Sequence, residues 1–120
     1  QELINTLELN QKSYIIEQLE REKNQTIQTE LSHLNNLITS TTKIYESALY
    51  DFDKESAKQN AKQLMLQSNI KGVEIYDIVA KAPFLTIYKT NNVKQLKFIK
   101  QDLFAHGDKI GYIKVYYDNS

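Results

Sequence analysis

The sequence predicts an α+β fold, with one long N-terminal helix and shorter helices packed on a four- to five-stranded antiparallel sheet. Two observations carry this. No glycine or proline occurs before Gly72, and about 70 residues rich in Leu, Ile, Glu, Gln and Lys without a strong breaker read as helix. After Gly72 the apolar period shortens from 3.6 residues to 2, and β-branched and aromatic side chains take over.

The long helix is expected over residues 1–39. Leu3, Ile4, Leu7, Tyr14, Ile15, Ile16 and Leu19 open it, and Ile27, Leu31, Leu34 and Ile38 continue at spacings of 4, 3 and 4. That spacing is the seam of a helix packed on a partner. The polar run from Glu20 to Thr26 between the two sets either faces water on all sides or loosens the helix. Thr39-Ser40-Thr41-Thr42 either caps a new helix or bends the existing one, because hydroxyls compete for backbone groups. Shorter helices are then expected over 40–69. Ile44, Tyr45, Ala48, Leu49 and Phe52 share one face, and Asp51 or Asp53 caps a segment over roughly 54–68. Its inward residues are Ala57, Ala61, Leu64 and Met65, and Asn69 is its stop.

Residues 70–120 read as sheet. Strands are predicted at 73–79, 84–90, 96–104 and 108–117, with turns at Ala80–Pro83, Asn91-Asn92 and His106-Gly107-Asp108. The short connections predict an antiparallel meander, since parallel pairs need long crossovers.

Composition narrows the function. At 120 residues and 14.0 kDa the chain fits one domain. Fifteen basic side chains balance fifteen acidic ones, which argues against a nucleic-acid binder built on bulk positive charge. The balance hides an asymmetry of −3 over residues 1–70 and +3 over 71–120. Without cysteine there is no disulfide, Cys-ligated metal or thiol nucleophile. No run of 18 apolar residues occurs. The Gln at position 1 and the end at Ser120 suggest a piece of something longer.

Catalytic and cofactor motifs are missing. His33 and His106 stand apart, with no acidic or histidine partner at metal-ligand spacing. Three glycines, at 72, 107 and 111, cannot build a P-loop or a dinucleotide loop. The pair Asp51 and Asp53 reads as a helix cap more readily than as a cation site. No catalytic residue, metal or cofactor is therefore expected. The tyrosines carry more. Tyr112, Lys114 and Tyr116 alternate onto one strand face, and Tyr88 with Phe84 and Thr86, and Phe98 with Lys100, join it if the register allows. Aromatic planes with lysines suit a small anionic or ring-bearing ligand, which makes Tyr88, Lys100, Tyr112 and Lys114 the candidate ligand residues. Against this stands the plain preference of tyrosine for strands.

The run Ile70-Lys71-Gly72-Val73-Glu74-Ile75-Tyr76-Asp77 and the close from Gly107 to Asp118 resemble the first and last strands of bacterial extracytoplasmic PAS-like, single-Cache-type sensor domains. The layout of long helix, shorter helices and sheet is similar over nearly the whole chain, the motifs over about twenty residues. The resemblance implies one sensor domain over 1–120, lying between two membrane helices of a histidine kinase, chemoreceptor or diguanylate cyclase. It implies a periplasmic place at the inner membrane, signal transduction without enzymatic activity in this domain, a possible small-molecule ligand and no nucleic acid. The sequence departs from the family where Ile78-Val79-Ala80-Lys81 replaces the glycine that commonly follows the Asp. It also lacks Trp, and its single Arg, Arg21, lies on the long helix, so no ligand residue is carried over.

Two other readings compete. A pilin-like subunit also places a long helix before an antiparallel sheet, but residues 1–26 are too polar for a filament core. A small α+β isomerase or hydratase would use a pair such as Tyr76 and Asp77, neighbours that point to opposite faces. Finally, a helix over 3–38 spans roughly 54 Å where a domain of this size is about 30 Å across. Overhanging apolar residues predict a parallel homodimer through Ile27, Leu31, Leu34 and Ile38, unless the shorter helices fold back to cover them.

Overall fold

The serine and threonine hydroxyls in the middle of the helical half turn back onto their own helix. In the computed structural model, which describes the backbone of residues 2–118 and the side chains of 15–118, Thr39 donates to the Asn35 carbonyl (2.8 Å), Ser40 to Leu37 (2.8 Å) and Thr41 to Ile38 (2.9 Å). Such back-bonding satisfies the hydroxyls without releasing backbone amides. Helix α1 therefore continues from Glu2 to Tyr50, past the expected end at residue 39. The polar run from Glu20 to Thr26 stays helical and exposed. The expected apolar positions Leu3, Ile4, Leu7 and Tyr14 lie outside the described side chains.

The chain divides into two units, Gln1–Leu34 and Asn35–Ser120. The described residues of the first are all in helix α1. Ile15, Ile16 and Leu19 are more than half exposed there, Ile27 and Leu31 are half-buried, and Leu34 is buried.

In the second unit α1 ends in a Schellman arrangement. The Asp53 amide donates to the Ala48 carbonyl (2.8 Å) and the Phe52 amide to Leu49 (3.3 Å), with Phe52 left-handed at φ 55°. Phe52 is thereby turned into solvent and Ile44 stays exposed, while Tyr45, Ala48 and Leu49 are buried. The expected five-residue face is thus three residues wide. One further α-helix follows instead of several: α2, Lys54–Leu64. Asp53 caps it, accepting from the Ser56 amide (3.1 Å) and hydroxyl (2.7 Å). Ala57, Ala61, Leu64 and Met65 are buried as expected. Three-residue bonds, Leu66 amide to Gln63 and Gln67 amide to Leu64, tighten and stop the helix before Asn69.

Four antiparallel strands follow: β1 (Ile70–Asp77), β2 (Ala82–Tyr88), β3 (Lys97–Ala105) and β4 (Asp108–Tyr117). The strand positions match the expectation to within three residues, but the order is β2-β1-β4-β3 rather than a meander. β1 pairs with both β2 and β4. The reason lies in side-chain chemistry. Val73, Ile75, Ile113 and Val115 are all buried to 1% exposure or less, and pairing β1 with β4 puts these residues side by side at the sheet centre. The edges go to β2, which contains Pro83 near its start, and to β3, which carries Lys97 and Lys100. Proline and lysine are what exposed strand edges tolerate. The connection 89–96, with a single 3-10 turn at Val93–Gln95, carries the chain from one edge to the other. His106 and Gly107, both at positive φ, close β3 onto β4 as a two-residue turn of the primed type.

Within this unit α1 covers one face of the sheet. Gln101 on β3 accepts from the Thr42 hydroxyl (2.5 Å) and donates to Thr39 (3.0 Å). The Phe104 amide donates to Glu46 (2.6 Å). Leu49 comes so close to Gly111 that a Cβ there would lie 2.6 Å from it and 2.3 Å from the Tyr76 carbonyl oxygen.

Candidate ligand-binding face

Strand alternation sends every second residue to the face opposite α1. Register fixes which ones: Gly72, Glu74 and Tyr76 on β1 stand beside Tyr116, Lys114 and Tyr112 on β4. These in turn stand beside Phe98, Lys100 and Asp102 on β3. On the other side Tyr88 pairs with Gly72 and Thr86 with Glu74. All four candidate ligand residues, Tyr88, Lys100, Tyr112 and Lys114, therefore share one outer face. Phe84, which strict alternation would add, is buried with the Lys54 ammonium of α2 5.7 Å from its ring centre. The register shift between Ile75 and Tyr76 interrupts the alternation there.

Aromatic rings dominate this face. Tyr76 stacks on Tyr112 with centroids 5.4 Å apart and planes 20° apart. Tyr116 meets Tyr88 edge-on at 6.4 Å and Phe98 at 5.6 Å. The lysine ammonium groups fold onto the rings: Lys100 Nζ lies 4.4 Å from the Tyr112 centroid, and Lys114 Nζ lies 4.7 Å from Phe98 and 5.7 Å from Tyr112. Asp102 pairs with Lys109 at 3.1 Å.

Glu74 stands in the midst of four tyrosines, and sequence reasoning did not single it out. Its Oε1 is shut from water and accepts no hydrogen bond. The Tyr88 and Tyr116 hydroxyls lie against the carboxylate, and burial together with that contact pushes the Tyr88 phenol up to about 12 and the Tyr116 phenol higher. Both phenols are thus protonated donors at neutral pH rather than bases. The absence of a side chain at Gly72 makes room for this group. A Cβ there would stand 2.9 Å from the Tyr88 ring and 2.9 Å from Val93. Val93, fully buried, brings the 89–96 connection down over that end of the face.

Elsewhere polar groups have structural tasks. The buried Asp77 carboxylate accepts from the Val79 (2.9 Å) and Ala80 (3.0 Å) amides, so it organises the β1–β2 turn and does not converge with Tyr76. Asp53 is a helix cap. His106 lies edge-on to Tyr50 at 5.1 Å, and His33 is exposed on α1. Among the described residues no group of His, Asp or Glu can hold a metal ion, and no helix is long and apolar enough to cross a membrane. No family model matches the chain, and neither a curated protein nor a solved structure does.

Proposed function

We propose that this chain is the sensing ectodomain of a transmembrane signalling receptor of the PAS-like, single-Cache type, with a kinase, chemoreceptor or cyclase as output. The observation that carries the reading is the double duty of β3 and β4. Their outward residues Lys100, Tyr112 and Lys114 form the aromatic face, while the intervening Gln101 and Gly111 are held by Thr39, Thr42 and Leu49 of α1. A molecule resting on the outer face is one strand's thickness from the helix that would carry the signal. Small shifts at a binding site are amplified where packed elements have discrete alternative arrangements.

A second copy of the chain completes the proposal. Ile38 is fully buried and Leu34 nearly so in a single chain, which removes them from the expected seam. Ile16, Leu19, Ile27 and Leu31 stay at least partly exposed on one side of the helix. A parallel partner helix would cover them.

The test of membrane orientation uses the full-length gene product in its own cells. Lys62, exposed on α2, is changed to Cys and challenged with a membrane-impermeant maleimide. Labelling of Lys62→Cys in intact cells, above the level of the unsubstituted protein, is expected. Labelling only after lysis would overturn the extracytoplasmic assignment.

A further inference from the structure

We infer that the outer edge of β2 takes up an extended segment of a partner protein, acidic at both ends, as a fifth strand of the sheet. The inference rests on the sheet alone, not on the aromatic face or on the chain's place in a membrane. A strand at a sheet edge turns the amide and carbonyl of every second residue away from its neighbour. The Lys89 amide donates to the Lys71 carbonyl (2.8 Å), which sets the phase of the β1–β2 ladder. Leu85 and Ile87 therefore bond inward to β1, and Thr86 and Tyr88 present their backbone groups outward. Among the described residues nothing bonds to that outward side, and Thr86 and Tyr88 are exposed.

The two edges of the sheet differ. On β3 the Phe104 amide is taken by Glu46 of α1 (2.6 Å), and Lys97, Lys100 and Asp102 charge the strand. Such features deter pairing with another chain. On β2, Pro83 blunts the start alone, and Phe84 to Tyr88 carries neither charge nor proline. Charge at the ends selects the occupant. From Ile78 to Gln101 the chain has five lysines and no acidic residue. Lys81 and Lys89 bracket β2, and Lys54 of α2 stands 5.7 Å from the Phe84 ring centre. Burial and the neighbouring Lys71 lower the Lys89 ammonium below its usual value. The carboxylates nearest in register are engaged, Asp77 with the turn amides and Glu74 with the Tyr88 and Tyr116 hydroxyls. A second copy of β2 fits poorly. Centred on Leu85 or Thr86, an antiparallel copy sets Lys89 of one chain opposite Lys81 of the other or two residues from it, at both ends, and like charges so placed repel. A segment with carboxylates at both ends and β-branched residues between them bonds to Thr86 and Tyr88 through its backbone and meets Lys81 and Lys89 with its ends.

Two capped peptides test this, Glu-Glu-Thr-Val-Thr-Val-Thr-Glu-Glu and the same centre with lysine in place of each glutamate. About nine residues match the span from Lys81 to Lys89, with valines beside Leu85 and Ile87 and threonines beside Thr86 and Tyr88. Each peptide is titrated into the 120-residue chain at neutral pH and followed by amide chemical shifts and amide hydrogen exchange. Saturable binding of the glutamate peptide is expected, with shifts and slowed exchange centred on Thr86 and Tyr88, and binding of the lysine peptide at least tenfold weaker. Thr86→Pro removes an outward amide without touching the ladder to β1 and should weaken the glutamate peptide at least tenfold. Lys81→Glu combined with Lys89→Glu should reverse the order of the two peptides. A dispersed spectrum shows that each variant folds; should Thr86→Pro fail to fold, the charge-reversed variant and the site of slowed exchange decide. No saturable binding of the glutamate peptide, protection outside β2, an equal affinity for the lysine peptide, or an unchanged affinity in folded Thr86→Pro would each overturn the inference. So would concentration-dependent protection of Thr86 and Tyr88 without peptide, which would assign the edge to a second copy. None of these outcomes alters the maleimide result.

Discussion

Single residues set the local terms of this fold. The Tyr45 hydroxyl is buried without a hydrogen bond of normal geometry, and burial, partly offset by nearby Thr41, holds its phenol up at about 12. Removing a buried hydroxyl that lacks a hydrogen bond of normal geometry relieves more desolvation than it loses in contact with Thr41, so Tyr45→Phe should raise stability by about 1 kcal/mol, measured by urea unfolding. Asp53 acts in the opposite direction. Its hydrogen bonds from the Ser56 hydroxyl and amide hold its carboxyl below the usual value. A lowered folded-state value stabilises fully above the unfolded value, near pH 4, and that contribution disappears as pH falls through the folded one. Asp53→Ala should therefore lower Tm by a few degrees at pH 7, and the gap to the unsubstituted chain should narrow in melts taken towards pH 3. A gap that stays constant across that range would mean the charge is irrelevant to the cap.

At the level of elements, the sequence declared periodicity and hid pairing. The change of period at Gly72 located all four strands, and the alternation in β4 put Tyr112, Lys114 and Tyr116 together, because both signals are local to a segment. The adjacency of β1 and β4 is not local. It depends on which strands bury the most apolar surface, and a meander would have left Glu74 and Tyr76 three strands away from Tyr112. That is why Glu74 escaped notice although it sits two residues from Tyr76. The Thr39–Thr42 cluster misled for a related reason: hydroxyls that can cap a helix can also bond back within it, and the Gln101 contact that favours the second outcome lies about 60 residues on. Gly111 shows how closely elements are fitted. With Leu49 on one side and the Tyr76 carbonyl on the other, Gly111→Ala should destabilise by roughly 2–3 kcal/mol. Denaturant unfolding would show it, and a change within error would mean that β4 can shift away from α1 at little cost.

For the molecule as a whole, the question is what covers the exposed stripe of α1. Ile16, Leu19, Ile27 and Leu31 lie within about 120° of arc on a helix of 3.6 residues per turn, and Lys23 sits in the middle of that arc. A lysine inside an apolar seam weakens a two-helix assembly while fixing its register, which would suit the proposed receptor if its halves rearrange. Glu20, one turn before Lys23 on the same stripe, can meet the partner's lysine in a parallel pair and so offsets part of that cost. Sedimentation of the chain from roughly 10 μM to 1 mM should show a monomer passing into a dimer. Leu19→Lys should hold it as a monomer throughout, whereas Lys23→Leu should shift the transition at least tenfold lower in concentration. Two outcomes would remove the dimer from the proposal: a monomer at every concentration that Lys23→Leu leaves unchanged, or a dimer that Leu19→Lys does not weaken. The second would move the contact to the sheet, where it would compete with any ligand for the tyrosine face.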